Sequence, residues 1–540
     1  MYYCHYEEAI EMGTIVYQKN SKTGAVYAYD SESYWDKDKK QPRSRRRYLG
    51  KIDPVTNEII PTIATQQPEP KKRGPRPSIA CKCRFSGATW LLDQIGEQIG
   101  IAEDLRHCFP DTWEQILSIV YYLTLEDSST MGRFSKWASI HTHPFGEDIP
   151  SQRISDLFQS IGEDNRKRFF RMQSRRRTET EYLFYDITSI SSYSETLRQV
   201  RYGYNKEHDL LPQINLALLY SQKTMLPVCY RKLPGNIPDV RTVCNLLKEL
   251  DYLDIHKINL VMDRGFYSES NINEMFRQHN KFLIGARLSL KLIRQELDKV
   301  REDLRSRKHY SSKHGIYYNS CTADWDYAET KKQTGEMVTG KRRIYIHLYY
   351  NASKEAEDRT ALNVMLDTLE YELLSGKRNP EHEKQYDKYY LVRETPARGI
   401  SIEPKQDAID KAEKNYGYFA LISNGIKDPL EALELYRAKD LIEKAFGSLK
   451  ERLNMRREFV SSEDSLDGKL FVQFLALIYL TRIQKTMLDQ NLYKTYTLRA
   501  LLDELDVIQR FDYPGKAPIY SEVTVKQASL FSAFGVKPLS

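Results

Sequence analysis

The chain has 540 residues, 41% of them hydrophobic, which calls for several domains with ordinary cores and excludes disorder throughout. Its 81 Lys and Arg against 74 Asp and Glu leave a net charge of +7, a modest basic excess that permits a nucleic-acid partner without proving one. Seven cysteines, single apart from Cys81 and Cys83, argue against a disulfide framework, no segment is long enough to span a membrane, and the start MYYCHYEEAI has no basic region followed by an apolar run, so a cytoplasmic protein is expected.

Residues 1–65 read as a small β-rich module. GTIVYQKN and AVYAYDSESYW are strand-like, and a basic run, Arg43, Arg45, Arg46 and Arg47, leads into the strand YLGKID. Such a run is most often a solvated face, and the interleaved Tyr34, Trp35 and Tyr48 also suit a nucleic-acid contact. Residues 66–80 follow as a proline-rich basic linker, whose RGPRP core has proline where minor-groove arms carry a second arginine.

Residues 81–180 are helical in pattern, with ATWLLDQIGEQIG, DTWEQILSIVYYLTLED and SQRISDLFQSIGEDNRKRFFRM as the helices and Ser151 as an N-cap. A helix-turn-helix reader of DNA is the functional reading of this region, and a plain helical bundle is the commoner one. CKC at 81–83 and HTH at 141–143 lack zinc-finger spacing and read as scattered structural residues.

From residue 181 the period changes to that of strands. YLFYDITSI is a short apolar strand run ending in Asp186, INLALLYS and LPVCYRKL continue a meander, and a helix, DVRTVCNLLKELDYL, leads to KINLVMDRGFYS, which delivers Asp263 at a strand end. The helix SESNINEMFRQHN and the strand KFLIGA complete a mixed α/β pattern of the ribonuclease H-like type over 181–286. Residues 287–425 form an inserted β-rich domain that contains Trp325, more often a core residue than a base-stacking one. A helix within 426–460 completes the core, and 461–540 are helical, with one buried and one amphipathic helix that suit a dimer surface.

The stretch YRAKDLIEKAFGSLK, 436–450, carries the chemistry. On a helix turning roughly 100° per residue, Tyr436, Lys439, Glu443 and Lys450 share one narrow strip beside an apolar face of Leu435, Ile442, Phe446 and Leu449. Taken alone, Asp186 and Asp263 each read as a turn or helix cap, and Lys439 with Glu443 as a weak surface pair. Taken together, three carboxylates suit magnesium, which prefers oxygen ligands, and an in-line phosphoryl transfer with two divalent ions. In that arrangement Asp186 bridges both ions and Asp263 and Glu443 each complete one.

These residues resemble the DDE transposases of bacterial insertion sequences, in the branch named for Tyr, Arg, Glu and Lys on the helix of the third acid. The spacing of Tyr436, Lys439, Glu443 and Lys450 matches that signature, with Lys439 in place of Arg, which keeps the charge and loses the bidentate fork. YDIT at 185–188, LPGNIPD at 233–239 and MDRGFYS at 262–268 resemble the family's first and second acid regions. The resemblance implies a ribonuclease H-like core split by an insertion, and binding of the element's inverted-repeat ends. It also implies cleavage and strand transfer with two Mg2+ or Mn2+ ions held by Asp186, Asp263 and Glu443. Tyr436, Lys439 and Lys450 would contact DNA phosphates, the partner would be double-stranded DNA at transposon ends and target, and a homodimer would pair the ends. The protein would work in the bacterial cytoplasm, on the nucleoid. Two other readings stay open: a non-catalytic DNA-binding protein on the same scaffold, and a host nuclease of the same fold.

Overall fold

The computed structural model describes residues 14–37, 39–61 and 81–539, the last with short gaps at 128–129, 177–180, 195, 205–209, 254, 256–257, 331–334, 396–398, 456, 459 and 461. The linker expected at 66–80 lies outside the described residues. The chain divides into two compact units, Met1–Ala80 and Cys81–Ser540.

The first unit is an antiparallel sheet of β1 (Thr14–Lys19), β2 (Val26–Asp36), β3 (Gln41–Ile52) and β4 (Ile59–Pro61), in that order. The basic run, expected to precede a strand, lies inside β3. Arg43, Arg45 and Arg47 pair across the sheet with Tyr34, Glu32 and Asp30 of β2, and opposite charges facing each other carry the ladder through the run.

The second unit opens with β5 (Lys82–Phe85), which pairs with Gln509–Asp512 near the other end of the chain. Helices follow at Gly87–Gln98, Ile101–Cys108, Trp113–Leu125, Phe134–Ile140, Ser151–Ser160 and Glu163–Arg175. The single helix expected from Ser151 breaks at Ile161–Gly162, and Ser151 is its first helical residue rather than its cap, which is Pro150. These helices gather around Glu463–Asp489, which is buried almost all round and packs on Trp113–Leu125, Ser151–Ser160 and strand β8 described below. A Cβ on Gly468 would overlap the Phe158 carbonyl oxygen, so glycine is what lets those two helices meet. The apolar length of this helix is therefore used within the chain, and the leucines of Leu498–Asp506 are likewise buried, against Gly87–Gln98. His141, one of the residues weighed for zinc, stacks on Trp137 and places Nε2 3.0 Å from Asp506. Among the described residues no helix is long and apolar enough to cross a membrane.

The large sheet is mixed. Its strands in chain order are β6 (Tyr182–Ser192), β7 (Gln213–Ser221), β8 (Pro227–Pro234), β9 (Asn259–Met262), β10 (Lys281–Ala286), β11 (Tyr310–Ser311), β12 (Ile316–Thr330) and β13 (Met337–Tyr350). After β14 (Tyr390–Thr395) and β15 (Gly399–Pro404), which form their own hairpin, β16 (Tyr418–Ser423) returns to the sheet. The spatial order is β11-β12-β13-β16-β10-β9-β6-β7-β8. β9 lies parallel to both β6 and β10, while β7, β8 and the strands beyond β10 are antiparallel to their neighbours. The near-continuous apolar runs of β6 and β7 are buried on both faces, as strands covered by helices on either side must be.

The pieces expected within an insertion thus do two things. β12 and β13 extend the central sheet through β16. The helix Ala352–Leu374 joins β14 and β15 around a separate small core of Leu362, Leu366, Leu369, Leu373, Tyr386, Tyr389 and Tyr390. Trp325 of β12 is buried, its indole N–H donating to Asn273 Oδ1 at 2.8 Å.

Candidate active site

β6 and β9 run parallel with Tyr185 opposite Met262. One residue on stand Asp186, still within β6, and Asp263, which leaves the end of β9 in extended backbone. Asp186, expected at a strand end, is interior to β6, opposite Leu218 of β7, and only 8% exposed. The strand continues because the β-branched Ile187, Thr188 and Ile190 keep pairing with β7. That position rules out a capping role for Asp186. Asp263 follows the last residue of β9 and does cap a short 3-10 turn, Arg264–Phe266, with Oδ1 accepting from Arg264 N–H at 2.8 Å.

The third acid arrives on a helix that is segmented rather than single. Asp428 caps Pro429–Arg437, accepting from the backbone N–H groups of Leu430 and Glu431, with proline at the first position. The chain then tightens into three-residue bonds, Lys439 N–H to the Tyr436 carbonyl and Ile442 N–H to that of Lys439. It resumes as Asp440–Gly447 and loosens into a π-helical turn, Ser448–Arg452. Leu435, Ile442, Phe446 and Leu449 are all buried, and Asp440–Gly447 packs on β6, so tertiary packing sets the winding where sequence period alone predicts one uniform helix.

The Tyr436 hydroxyl donates to Asp263 Oδ1 at 2.6 Å. Lys439, only 9% exposed, sits 3.6 Å from Asp263 Oδ2 and 3.2 Å from Glu443 Oε1. Burial works to lower the Lys439 ammonium, but the carboxylates of Asp263 and Asp186 outweigh it and hold it above the ordinary lysine range. Burial likewise works to raise Asp263, and the Tyr436 hydrogen bond, the Lys439 charge and the Arg264 N–H together bring it below the ordinary carboxylate range. Burial and the adjacent Asp263 push the Tyr436 phenol up, so it remains a donor. Direct contacts thus join Asp263, Tyr436, Lys439 and Glu443, and charge joins Asp186 to Lys439. Lys450 lies beyond them in the π-helical turn.

Three carboxylates are the hard oxygen donors that a divalent cation of the magnesium type takes. Asp186 and Asp263 follow directly on paired residues of neighbouring strands. Glu443 approaches from the helix side, its side chain 57% exposed, with the Lys439 ammonium between it and Asp263. Among the described residues no three His, Cys, Asp or Glu side chains converge closely enough to hold an ion. The residue types fit such a cation by their chemistry, and in this arrangement the Lys439 ammonium stands between Asp263 and Glu443.

Gly285 of β10 was not singled out in the sequence. A Cβ there would come 2.8 Å from the Tyr436 hydroxyl and 3.0 Å from Arg264 N. The available signal is a glycine inside the apolar strand KFLIGA, which marks a close approach.

A buried and a half-buried acid on adjacent parallel strands, faced by a helix bearing an ammonium and a third acid, make this a carboxylate-centred site in a mixed α/β protein. The family model of the transposase DDE domain matches residues 177–479, more than half of the chain, and the chain belongs to that family. Among solved structures, a cryo-EM structure of a piggyBac transposase synaptic complex with hairpin DNA is 11% identical, with a TM-score of 0.35, over 77% of this chain and 70% of that one. No curated protein matches the chain.

Proposed function

We propose that this member of the transposase DDE family is the transposase of a bacterial insertion sequence, of the branch with the Tyr-Arg-Glu-Lys signature helix. It binds the element's terminal inverted repeats as a homodimer and carries out metal-dependent strand cleavage and transfer. The observation that carries the reading is that Asp186 and Asp263 each follow directly on the paired residues Tyr185 and Met262 of the parallel strands β6 and β9, with Lys439 between Asp263 and Glu443 on a helix packed on β6. The strand order β8-β7-β6-β9-β10 supports a ribonuclease H-like core, and the helices between residues 81 and 180 would supply DNA binding.

In this proposal Asp186, Asp263 and Glu443 hold two Mg2+ or Mn2+ ions. When bound, the ions supply polarisation of the scissile phosphate and of the attacking oxygen. The protein's own contribution is placement. The sheet fixes the two aspartates, the helix presents Glu443, and Lys439 offsets the charge that the crowded carboxylates create. Lys439 and Lys450 border the phosphates beside the cut.

Duplex DNA carrying the inverted repeats that bracket the gene is the substrate to test. Wild-type protein with Mg2+ should nick it at the repeat ends, while Asp186→Ala and Asp263→Ala should bind it and leave it intact. Cleavage retained by either variant removes these acids from the proposal. Specific binding by wild type without nicking would favour a non-catalytic DNA-binding protein, and cleavage of DNA lacking repeats would favour a host nuclease.

A further inference from the structure

The Tyr436 hydroxyl has one proton to donate, and it goes to Asp263 Oδ1 at 2.6 Å. A phosphate oxygen only accepts, so the same hydroxyl cannot donate to DNA and to Asp263 together. Asp263 Oδ1 also accepts from Arg264 N–H at 2.8 Å, which commits that oxygen twice and leaves Oδ2 as the one facing the Lys439 ammonium at 3.6 Å. The approach of the tyrosine depends on β10. With any side chain at Gly285, a Cβ would stand 2.8 Å from the Tyr436 oxygen, and the atom that must give way is the one hydrogen-bonded to Asp263.

We infer that Tyr436 and Gly285 form a positioning pair for the second acid: the tyrosine orients the Asp263 carboxylate so that Oδ2 is presented to a divalent cation, and Gly285 keeps the space that the tyrosine needs. The inference rests on the proposed role of Asp263 as a cation ligand and assigns Tyr436 to the acid rather than to a phosphate. Partners that orient a metal ligand typically change metal affinity by about 10–100-fold when removed.

The test is Mn2+ binding to the full chain, read by electron paramagnetic resonance of the free ion, alongside affinity for a duplex of arbitrary sequence measured without metal. Tyr436→Phe should bind Mn2+ at least about 10-fold more weakly with duplex affinity unchanged, and Gly285→Ala should do the same. In the double variant the two losses should add only in part, because the alanine no longer has a hydroxyl to displace and presses on Arg264 alone. Thermal unfolding confirms that each variant is folded, and Tyr436→Phe alone suffices should Gly285→Ala fail to fold. Unchanged Mn2+ affinity in Tyr436→Phe, a loss confined to duplex affinity, or fully additive losses in the double variant would overturn the inference. Asp263→Asn separates the two levels. If it abolishes Mn2+ binding while Tyr436→Phe does not weaken it, only the positioning role falls; if it leaves Mn2+ binding unchanged, the role of Asp263 as a ligand falls with it.

Discussion

Lys439 is the residue on which the acids are balanced. It is nearly buried, and three carboxylates act on it, one on each of two strands and one on its own helix. An ammonium in that position offers a point charge, whereas arginine would offer a planar fork that grips two phosphate oxygens. If Lys439 contacts phosphate, Lys439→Ala should reduce the cleavage rate by about 10–100-fold, a loss of about 1.4–2.7 kcal/mol in transition-state stabilisation, while Lys439→Arg should retain most of it. Equal losses in the two variants, measured as single-turnover cleavage rates, would remove Lys439 from phosphate binding. The candidate residues were legible in the sequence because acids in YDIT and MDRG stand next to apolar strand patterns, and Tyr436, Lys439 and Glu443 recur at helical spacing. The hydrogen bond from Tyr436 to Asp263 and the space at Gly285 join residues far apart in the chain, and no local pattern encodes such a pair.

Period reveals which elements exist more readily than how they are wound. The strands β6, β7, β8, β9 and β10 lie where alternation and apolar runs place them, but the acid-bearing helix tightens at Lys439 and opens at Ser448–Arg452 because four apolar side chains must all reach the core. β12 and β13 carry charged, alternating sequence that reads as a separate module, yet their ends add to the central sheet, and the reason is register with β16 from far along the chain. Packing between elements also leaves a titration signature. Asp93 of Gly87–Gln98 accepts from Tyr121 of Trp113–Leu125 at 2.6 Å, beside Tyr479 of the long buried helix. Burial raises its carboxyl to about 6, the Tyr121 hydrogen bond opposing. An acid whose folded pKa is raised adds stability that is full below its unfolded value, about 3.9, and is lost as pH climbs through the folded one. Asp93→Asn keeps an acceptor for Tyr121 and removes the titration. Its stability relative to wild type should therefore rise between about pH 4 and pH 6, by up to about 3 kcal/mol, and stay level above. Urea unfolding of both proteins across that range, giving a flat difference, would contradict the assignment.

At the scale of the whole molecule, the helices of residues 81–175 and the buried helix Glu463–Asp489 make one core with the sheet, so the part that carries the acids is closed from both ends of its sequence. The first unit is a separate body whose β3 presents Arg43, Arg45, Arg46 and Arg47, all exposed, beside Tyr34 and Trp35. If that strand contacts DNA phosphates, replacing the four arginines with glutamine in the full chain should lower the slope of log affinity against log salt by up to about 3–4, and an unchanged slope would leave β3 a solvated face. The central claim concerns Glu443, because the sheet alone brings the two aspartates together whereas the third acid depends on how the whole chain folds back. The most direct test is cleavage of inverted-repeat DNA by Glu443→Gln in Mg2+, with DNA affinity measured in parallel. The account predicts cleavage lost by a factor of at least about 1,000, or about 4 kcal/mol, with affinity for the ends retained; cleavage at the wild-type rate would contradict it.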